Sequence, residues 1–246
     1  MLPFSEFNGM DNNFVKIQTS APLYISMTTI PSRMKNTIKI IKNMLEKVSG
    51  YEKIILNIPS RYKKYTNVNL PEDISDLTKD SRFLLNKTNE DLGPITKMIP
   101  SLNLIPSDCI LIICDDDCYH HEAFKLIAEK QDKDIKKSFT FWKYKYNSTV
   151  VPQGVDMISF WKPNLKGFEE WWKHTRKSKY CFYVDDLLIG RWLQIKGIPI
   201  EQLDRKWKWP WIANCLPKEV NDKGLFGQKG KFERKKSMSK CMMFLL

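Results

Sequence analysis

The chain has only three histidines, His120, His121 and His174, and none of its cysteines form a CxxC pair. Cys114 and Cys118 beside His120 or His121 therefore lack the second ligand pair that a structural zinc site needs, and a zinc-stapled fold is set aside. No apolar stretch approaches the ~18 residues of a membrane span. The start of the chain also lacks a basic region followed by an apolar one, so no secretory signal is legible. These absences lead us to expect a cytoplasmic protein with no membrane span and at most peripheral membrane contact. Nothing repeats at a fixed period, which argues against solenoids and propellers. The six cysteines are scattered, and in a reducing compartment they read as free, buried thiols.

What is present describes a folded, basic globule. With 246 residues the chain can bury a full sheet-and-helix core, as one large domain or two small ones. Its 42% hydrophobic and 12% aromatic content excludes a disordered chain. A formal net charge of +12 favours acidic partners: nucleic acid, an anionic membrane surface or a phosphorylated small molecule.

The stretch around which the rest is organised is Ile110 to Asp117. Ile110 to Cys114 is an unbroken apolar run, the pattern of a strand buried on both faces. Asp115, Asp116 and Asp117 follow at once. In open α/β sheets, ligands bind outside the carboxyl ends of the strands, and three adjacent carboxylates repel one another until something cationic joins them. Oxygen-only donors suit a hard divalent cation, Mg2+ or Mn2+. The plainer reading of the same residues is an acidic turn capping a helix that starts near His121.

Residues 1–20 are aperiodic and read as an N-terminal arm. Leu23 to Thr29 reads as a strand, and Met34 to Val48 as an amphipathic helix closed by Gly50. Lys53 to Ile58 and Arg82 to Leu85 read as further strands, a spacing that fits parallel crossovers. Ile95 to Leu102 forms a short helix carrying Lys97. After a helix from about His121 to Lys130, the segments Phe139 to Tyr146, Thr149 to Val151 and Val155 to Trp161 read as strands, and Phe168 to Lys177 as a helix. Cys181 to Val184 then runs into Asp185 and Asp186, which open a helix ended by Gly197. A carboxylate at a helix start is a common cap, which accounts for one of the two. Among the closing residues, Gly224, Gly227 and Gly230 between lysines suit a flexible flap over phosphates.

Four of these stretches, in this order, resemble GT-A fold glycosyltransferases, which move a sugar from a nucleotide-sugar donor. They are Thr28 to Arg33 after the first strand, Leu92 to Lys97, the Asp115-Asp116-Asp117 run as an Asp-x-Asp motif, and Val184 to Gly190. The resemblance covers roughly Leu23 to Gly197. It implies a single α/β, Rossmann-like domain with a mixed, mostly parallel central sheet flanked by helices and the Asp-x-Asp motif at the end of a central strand. Within it, residues 21–135 would be the nucleotide-sugar-binding half, 136–215 the acceptor-binding half, and 216–246 a basic tail or flap. The compact, lysine-rich form resembles virus-encoded or bacterial members, which would place a viral protein in the host cytoplasm.

The resemblance further implies Asp117 and Asp115 as metal ligands, and Thr28, Thr29, Arg33, Lys97, Asp115 and Asp116 as donor contacts. By strand alternation Asp116 points away from the other two. Asp186 is implied as the general base of an inverting reaction, with Asp185 as helix cap or acceptor contact. Asp156, Trp209 and Trp211, with Trp207, would border a glycan or glycoprotein acceptor. The chemistry agrees: a divalent metal stabilises the leaving diphosphate of a UDP-sugar or other nucleotide-sugar, and a carboxylate takes the acceptor's proton. The family's C-terminal metal-binding histidine has no counterpart, and Gly154 to Ile158 departs from its glycine-rich strand. Three alternatives stand beside this reading. One is a retaining transferase on the same fold, another a metal-dependent nucleotidyltransferase. The third is a nucleic-acid-binding module, suggested by the aromatic and lysine alternation of Trp142 to Tyr146, although strand-end carboxylates would repel a phosphate backbone.

Overall fold

Alternate side chains of one short strand point into two separate cores, and the architecture follows from that strand. The computed structural model describes residues 13–63, 65, 71, 73–205 and 225–245. Strands are β1 (Val15–Lys16), β2 (Leu23–Thr28), β3 (Val48–Ser49), β4 (Lys53–Pro59), β5 (Phe83–Thr88), β6 (Ile110–Ile113), β7 (Ser138–Thr140), β8 (Lys143–Tyr146), β9 (Thr149–Pro152), β10 (Ile158–Trp161) and β11 (Ile200–Gln202). Helices are α1 (Met34–Lys47), α2 (Ile74–Leu77), α3 (Ile99–Leu102), α4 (His121–Lys133), α5 (Phe168–Thr175), α6 (Asp185–Ile195) and α7 (Leu225–Leu245).

In β6, Ile110 and Ile112 join the core formed with α1 and α4, while Leu111 and Ile113 join the core formed with α3, α5, α6 and the end of α7. A strand buried on both faces has no polar side, which explains the unbroken apolar run. The seven-stranded sheet has the order β11-β7-β10-β6-β2-β4-β5. The β2, β4, β5 and β6 pairings are parallel, β10 runs antiparallel to both neighbours, and β11 is parallel to β7. This is the mixed, mostly parallel sheet flanked by helices that the sequence implied.

The chain leaves β2 toward β4 and β5 on one side and returns to β6 on the other. The sheet's switch point therefore lies at the carboxyl ends of β2 and β6, where α/β sheets place their ligands. Ser26 pairs with Ile113, so Thr28 and Thr29 lie alongside the first aspartates. Ile158 of antiparallel β10 also pairs with Ile113, which brings Gly154 to Met157 to the same edge.

Several expectations are corrected. The single strand expected from Phe139 to Tyr146 is two: β7 joins the main sheet, while β8 pairs only with β9. Tyr144 and Tyr146 of β8 are partly buried and pack against the second core, which accounts for the aromatic half of their alternation with lysines. The strand expected from Val155 starts only at Ile158, because Gly154–Asp156 form a 3-10 turn and Met157 follows at a φ of 62°. The loose arm is in part anchored: β1 pairs with β3, and Ser20 and Ala21 donate backbone N–H groups to Asp132 at 2.9 and 3.1 Å.

The expected flap is instead helical over Leu225–Leu245. Met238, Cys241 and Met242 recur at helical spacing and are buried in the second core. Its packing also corrects the reading of free thiols. Cys241 is disulfide-bonded to Cys181, 60 residues away, and Cys118 is disulfide-bonded as well, which leaves Cys109 and Cys114 as buried free thiols. No local spacing announces a pairing that only the docking of α7 creates.

Candidate active site

Lys97 is the centre of the site. It sits in the 3-10 turn Gly93–Lys97, which the buried hydroxyl of Ser26 holds by donating to the Lys97 carbonyl at 2.6 Å. Ser26 is fixed in turn by Asn57 Nδ2 at 2.9 Å and shares a hydrogen bond with Ser101 at 2.7 Å. A satisfied buried polar network of this kind sets one geometry. It aims an ammonium that is only 1% exposed at two carboxylates: Asp115, 2.5 Å away, and Asp185, 2.7 Å away. Burial works against the Lys97 charge, but Asp115, Asp185 and Asp186 together push its pKa well above the usual lysine range.

Asp186 follows directly. Its Oδ1 accepts the Gly154 N–H at 3.0 Å, and its Oδ2 accepts from Arg234 of α7, also at 3.0 Å. A Cβ on Gly154 would lie 2.6 Å from Lys97 Nζ and 3.2 Å from Asp186 Oδ1, so only glycine lets these groups meet. The first turn of α6 carries both aspartates, and neither is its cap: no side-chain hydrogen bond closes the helix start. Asp185 is the partner of Lys97 instead. Burial first, and the Asp185 charge second, push the Asp186 carboxyl up to about 7, against the pull of Lys97 and Arg234.

On the other side, Arg33 just ahead of α1 holds the rest of the acidic run. Its Nη1 lies 2.6 Å from Asp116, and its Nη2 contacts the Asp117 carboxylate and donates to the Asp116 carbonyl at 3.0 Å. Thr29 Oγ1 donates to Asp116 Oδ2 at 2.5 Å, and Tyr62 donates to the Thr29 carbonyl at 3.0 Å. The expected alternation of the three aspartates therefore fails. Asp115 turns to Lys97, whereas Asp116 and Asp117 both turn to Arg33, because β6 ends at Ile113 and its period of two does not reach them. Burial, opposed by Arg33 and helped by Asp116 and Asp115, pushes Asp117 up to about 6, while Lys97 overcomes burial to hold Asp115 below the usual carboxylate range.

The other sequence-derived candidates divide. Thr28 donates to the Asn57 carbonyl at 2.8 Å and serves the sheet. Asp156 is buried in the 3-10 turn Gly154–Asp156 ahead of β10 and pairs with Arg205. Trp207, Trp209 and Trp211 lie outside the described residues. Arg234, Gly154 and the Ser26, Asn57 and Ser101 network escaped the sequence reading. A lone glycine beside an expected strand can signal close backbone approach and was the available sign of Gly154, but nothing marked Arg234.

The donor set can be tested against a divalent cation. Five carboxylates (Asp115, Asp116, Asp117, Asp185 and Asp186) face three basic groups (Arg33, Lys97 and Arg234). With every carboxylate ionised, two negative charges would be in excess, and burial lowers that excess by raising the pKa values of Asp117 and Asp186. All donors are oxygens, and the Asp115 side chain is 36% exposed. An oxygen-only donor set is the kind a hard divalent cation takes, but as the site stands Asp115 is paired with Lys97 and Asp117 with Arg33. Among the described residues no group of three or more His, Cys, Asp or Glu side chains is arranged to hold a metal ion.

No protein-family model matches the chain, and no curated protein matches it. Among solved structures it is similar to GalNAc-T7 with UDP, GalNAc and Mn2+, at 7% identity and a TM-score of 0.46, over 60% of this chain and 36% of that one. It is similar to the mannosyltransferase PcManGT from Pyrobaculum calidifontis in complex with GDP-Man and Mn2+, at 10% identity and 0.48, over 93% and 76% of the two chains. A third likeness is the inositol-1-phosphate CTP transferase from T. maritima, at 10% identity and 0.49, over 91% and 98%. At such identities no residue-by-residue correspondence follows.

Proposed function

We propose that the chain is a metal-assisted glycosyltransferase that moves a sugar from a nucleotide-sugar, a UDP-sugar first among them, to a hydroxyl of a glycan or glycoprotein. One observation carries this reading: Lys97 joins the strand-end carboxylate Asp115 to Asp185 at the sheet's switch point and so sets Asp186 in the same site. Asp115 and Asp117 would hold the divalent cation, which when bound stabilises the charge of the leaving diphosphate. Arg33 and Lys97 orient the carboxylates and keep their repulsion from opening the site. As the acceptor oxygen bonds to the anomeric carbon and the bond to the diphosphate breaks, Asp186 takes the hydroxyl proton. With a value near 7, it is poised to do so at neutral pH.

Asp186 as base makes the reaction inverting. Incubating the protein with UDP- and GDP-sugars and Mn2+, and reading nucleoside diphosphate release and the anomeric configuration of the product, tests both statements. Retention would leave Asp186 a positioning role only, and pyrophosphate release from nucleoside triphosphates would favour nucleotidyl transfer. The disulfide-bonded cysteines favour an oxidising compartment over the cytoplasm first expected. No helix among the described residues is long and apolar enough to cross a membrane.

A further inference from the structure

The C-terminal helix α7 touches the rest of the protein at two places that belong together. Cys241 is disulfide-bonded to Cys181, which opens the 3-10 turn Cys181–Tyr183 immediately ahead of Asp185 and Asp186. Two turns earlier on α7, Arg234 donates to Asp186 Oδ2 at 3.0 Å. Met238 and Met242 fill the second core between and beside these points, and Lys240 donates to the Tyr180 hydroxyl at 3.0 Å. One covalent bond therefore ties the helix bearing Arg234 to the segment bearing its carboxylate partner. The Arg234 side chain is 29% exposed and that of Asp186 9%.

We propose that Arg234 is a positioning residue for Asp186, and that the Cys181–Cys241 disulfide is what delivers it. With Oδ1 held by the Gly154 N–H and Oδ2 by Arg234, the carboxylate is fixed at both oxygens, and each oxygen keeps a lone pair for an acceptor hydroxyl. The other charged or titratable groups facing Asp186 are Lys97 from the Gly93–Lys97 turn, Asp115 beyond β6, Asp185 beside it and Tyr144 of β8. Among the described residues Arg234 is the contact that arrives from α7. Opening the disulfide leaves α7 with only its noncovalent packing, and the site should then lose its second anchor. The role of Asp186 as base rests on the proposed function, but the anchoring itself does not.

The test uses the full chain in four forms: wild type, Arg234→Gln, Arg234→Lys, and the double variant Cys181→Ser with Cys241→Ser. The double variant is preferred to a reductant, which would also open the disulfide of Cys118. Hydrogen exchange of the Gly154 amide reports directly on Asp186 Oδ1. We expect exchange about tenfold faster in Arg234→Gln, the loss of one charge-assisted hydrogen bond, with recovery in Arg234→Lys. The serine pair should show the same acceleration, together with faster exchange across α7. In nucleoside diphosphate release from UDP-sugars with water as acceptor, Arg234→Gln and the serine pair should lower kcat and shift its pH profile upward, with KM for the donor little changed. Unchanged Gly154 exchange in Arg234→Gln, or Gly154 exchange in the serine pair equal to wild type, overturns the proposal. If wild type binds no nucleotide while the exchange pattern appears, the glycosyltransferase reading fails and the anchoring stands.

Discussion

Around Arg33, two aspartates adjacent in sequence share one guanidinium, and around Lys97, aspartates from two distant segments share one ammonium. The first clamps the end of β6 to the residue just ahead of α1, 83 and 84 positions away in sequence, and involves neither α6 nor Gly154. The second is a tertiary joint that exists only once α6 has docked and Gly154 has come close enough to leave no room for a Cβ. Arginine suits the first because its fork engages two acceptors in a fixed plane, and lysine the second because a compact ammonium fits between converging carboxylates. Losing the joint should therefore cost the fold more than losing the fork.

The largest break is Lys97→Met. Leaving buried Asp185, and with it the part-exposed Asp115, without their cation should cost about 3–5 kcal/mol, read from urea unfolding. Arg33→Lys, which keeps a charge and loses the fork, should cost less. If the two prove equal, the distinction between joint and clamp is wrong. Asp186→Asn sharpens the contrast by separating chemistry from structure: transfer should fall by about 10²–10⁴ while nucleotide binding holds. Turnover of wild type should rise with pH through about 7, because the base works deprotonated, and an unchanged limb in any residually active Asp186→Asn would assign it elsewhere. Gly154→Ala should come next, at about 1–3 kcal/mol as its Cβ displaces Lys97 or Asp186.

The smallest effect lies outside both clusters. Burial, only partly offset by Arg205, pushes Asp156 up to about 6. The folded state thus holds this proton more tightly than the unfolded chain, so the stabilisation is complete below the ordinary aspartate range and is lost as pH rises through about 6. Thermal unfolding between pH 4 and 7 should show wild type losing stability relative to Asp156→Asn as pH rises, and a constant difference would refute the assignment.

The sequence reading reached the strands and helices whose periodicity is a property of neighbouring residues. The doubly buried β6, the amphipathic α1 and the acid pair opening α6 were legible because each is written in consecutive side chains. What lay beyond it depends on distant segments meeting. The partner of Asp185, the splitting of Asp115 from Asp116 and Asp117, the Cys181–Cys241 bond and the reach of Arg234 are set by where α6 and α7 dock. The glycines and lysines of the closing segment suggested a flap, because the packing of Met238, Cys241 and Met242 against the second core is invisible without that core.

The central claim is that the carboxylates at the switch point form a cation-assisted nucleotide site, and calorimetry tests it most directly. UDP, GDP and their sugars would be titrated with and without Mn2+ into wild type and Asp117→Asn. The account predicts Mn2+-dependent binding of one nucleotide by wild type, weakened in Asp117→Asn by at least the about 10–100-fold that losing even an outer-shell partner of a metal costs. Binding that ignores Mn2+, or survives intact in Asp117→Asn, would contradict it.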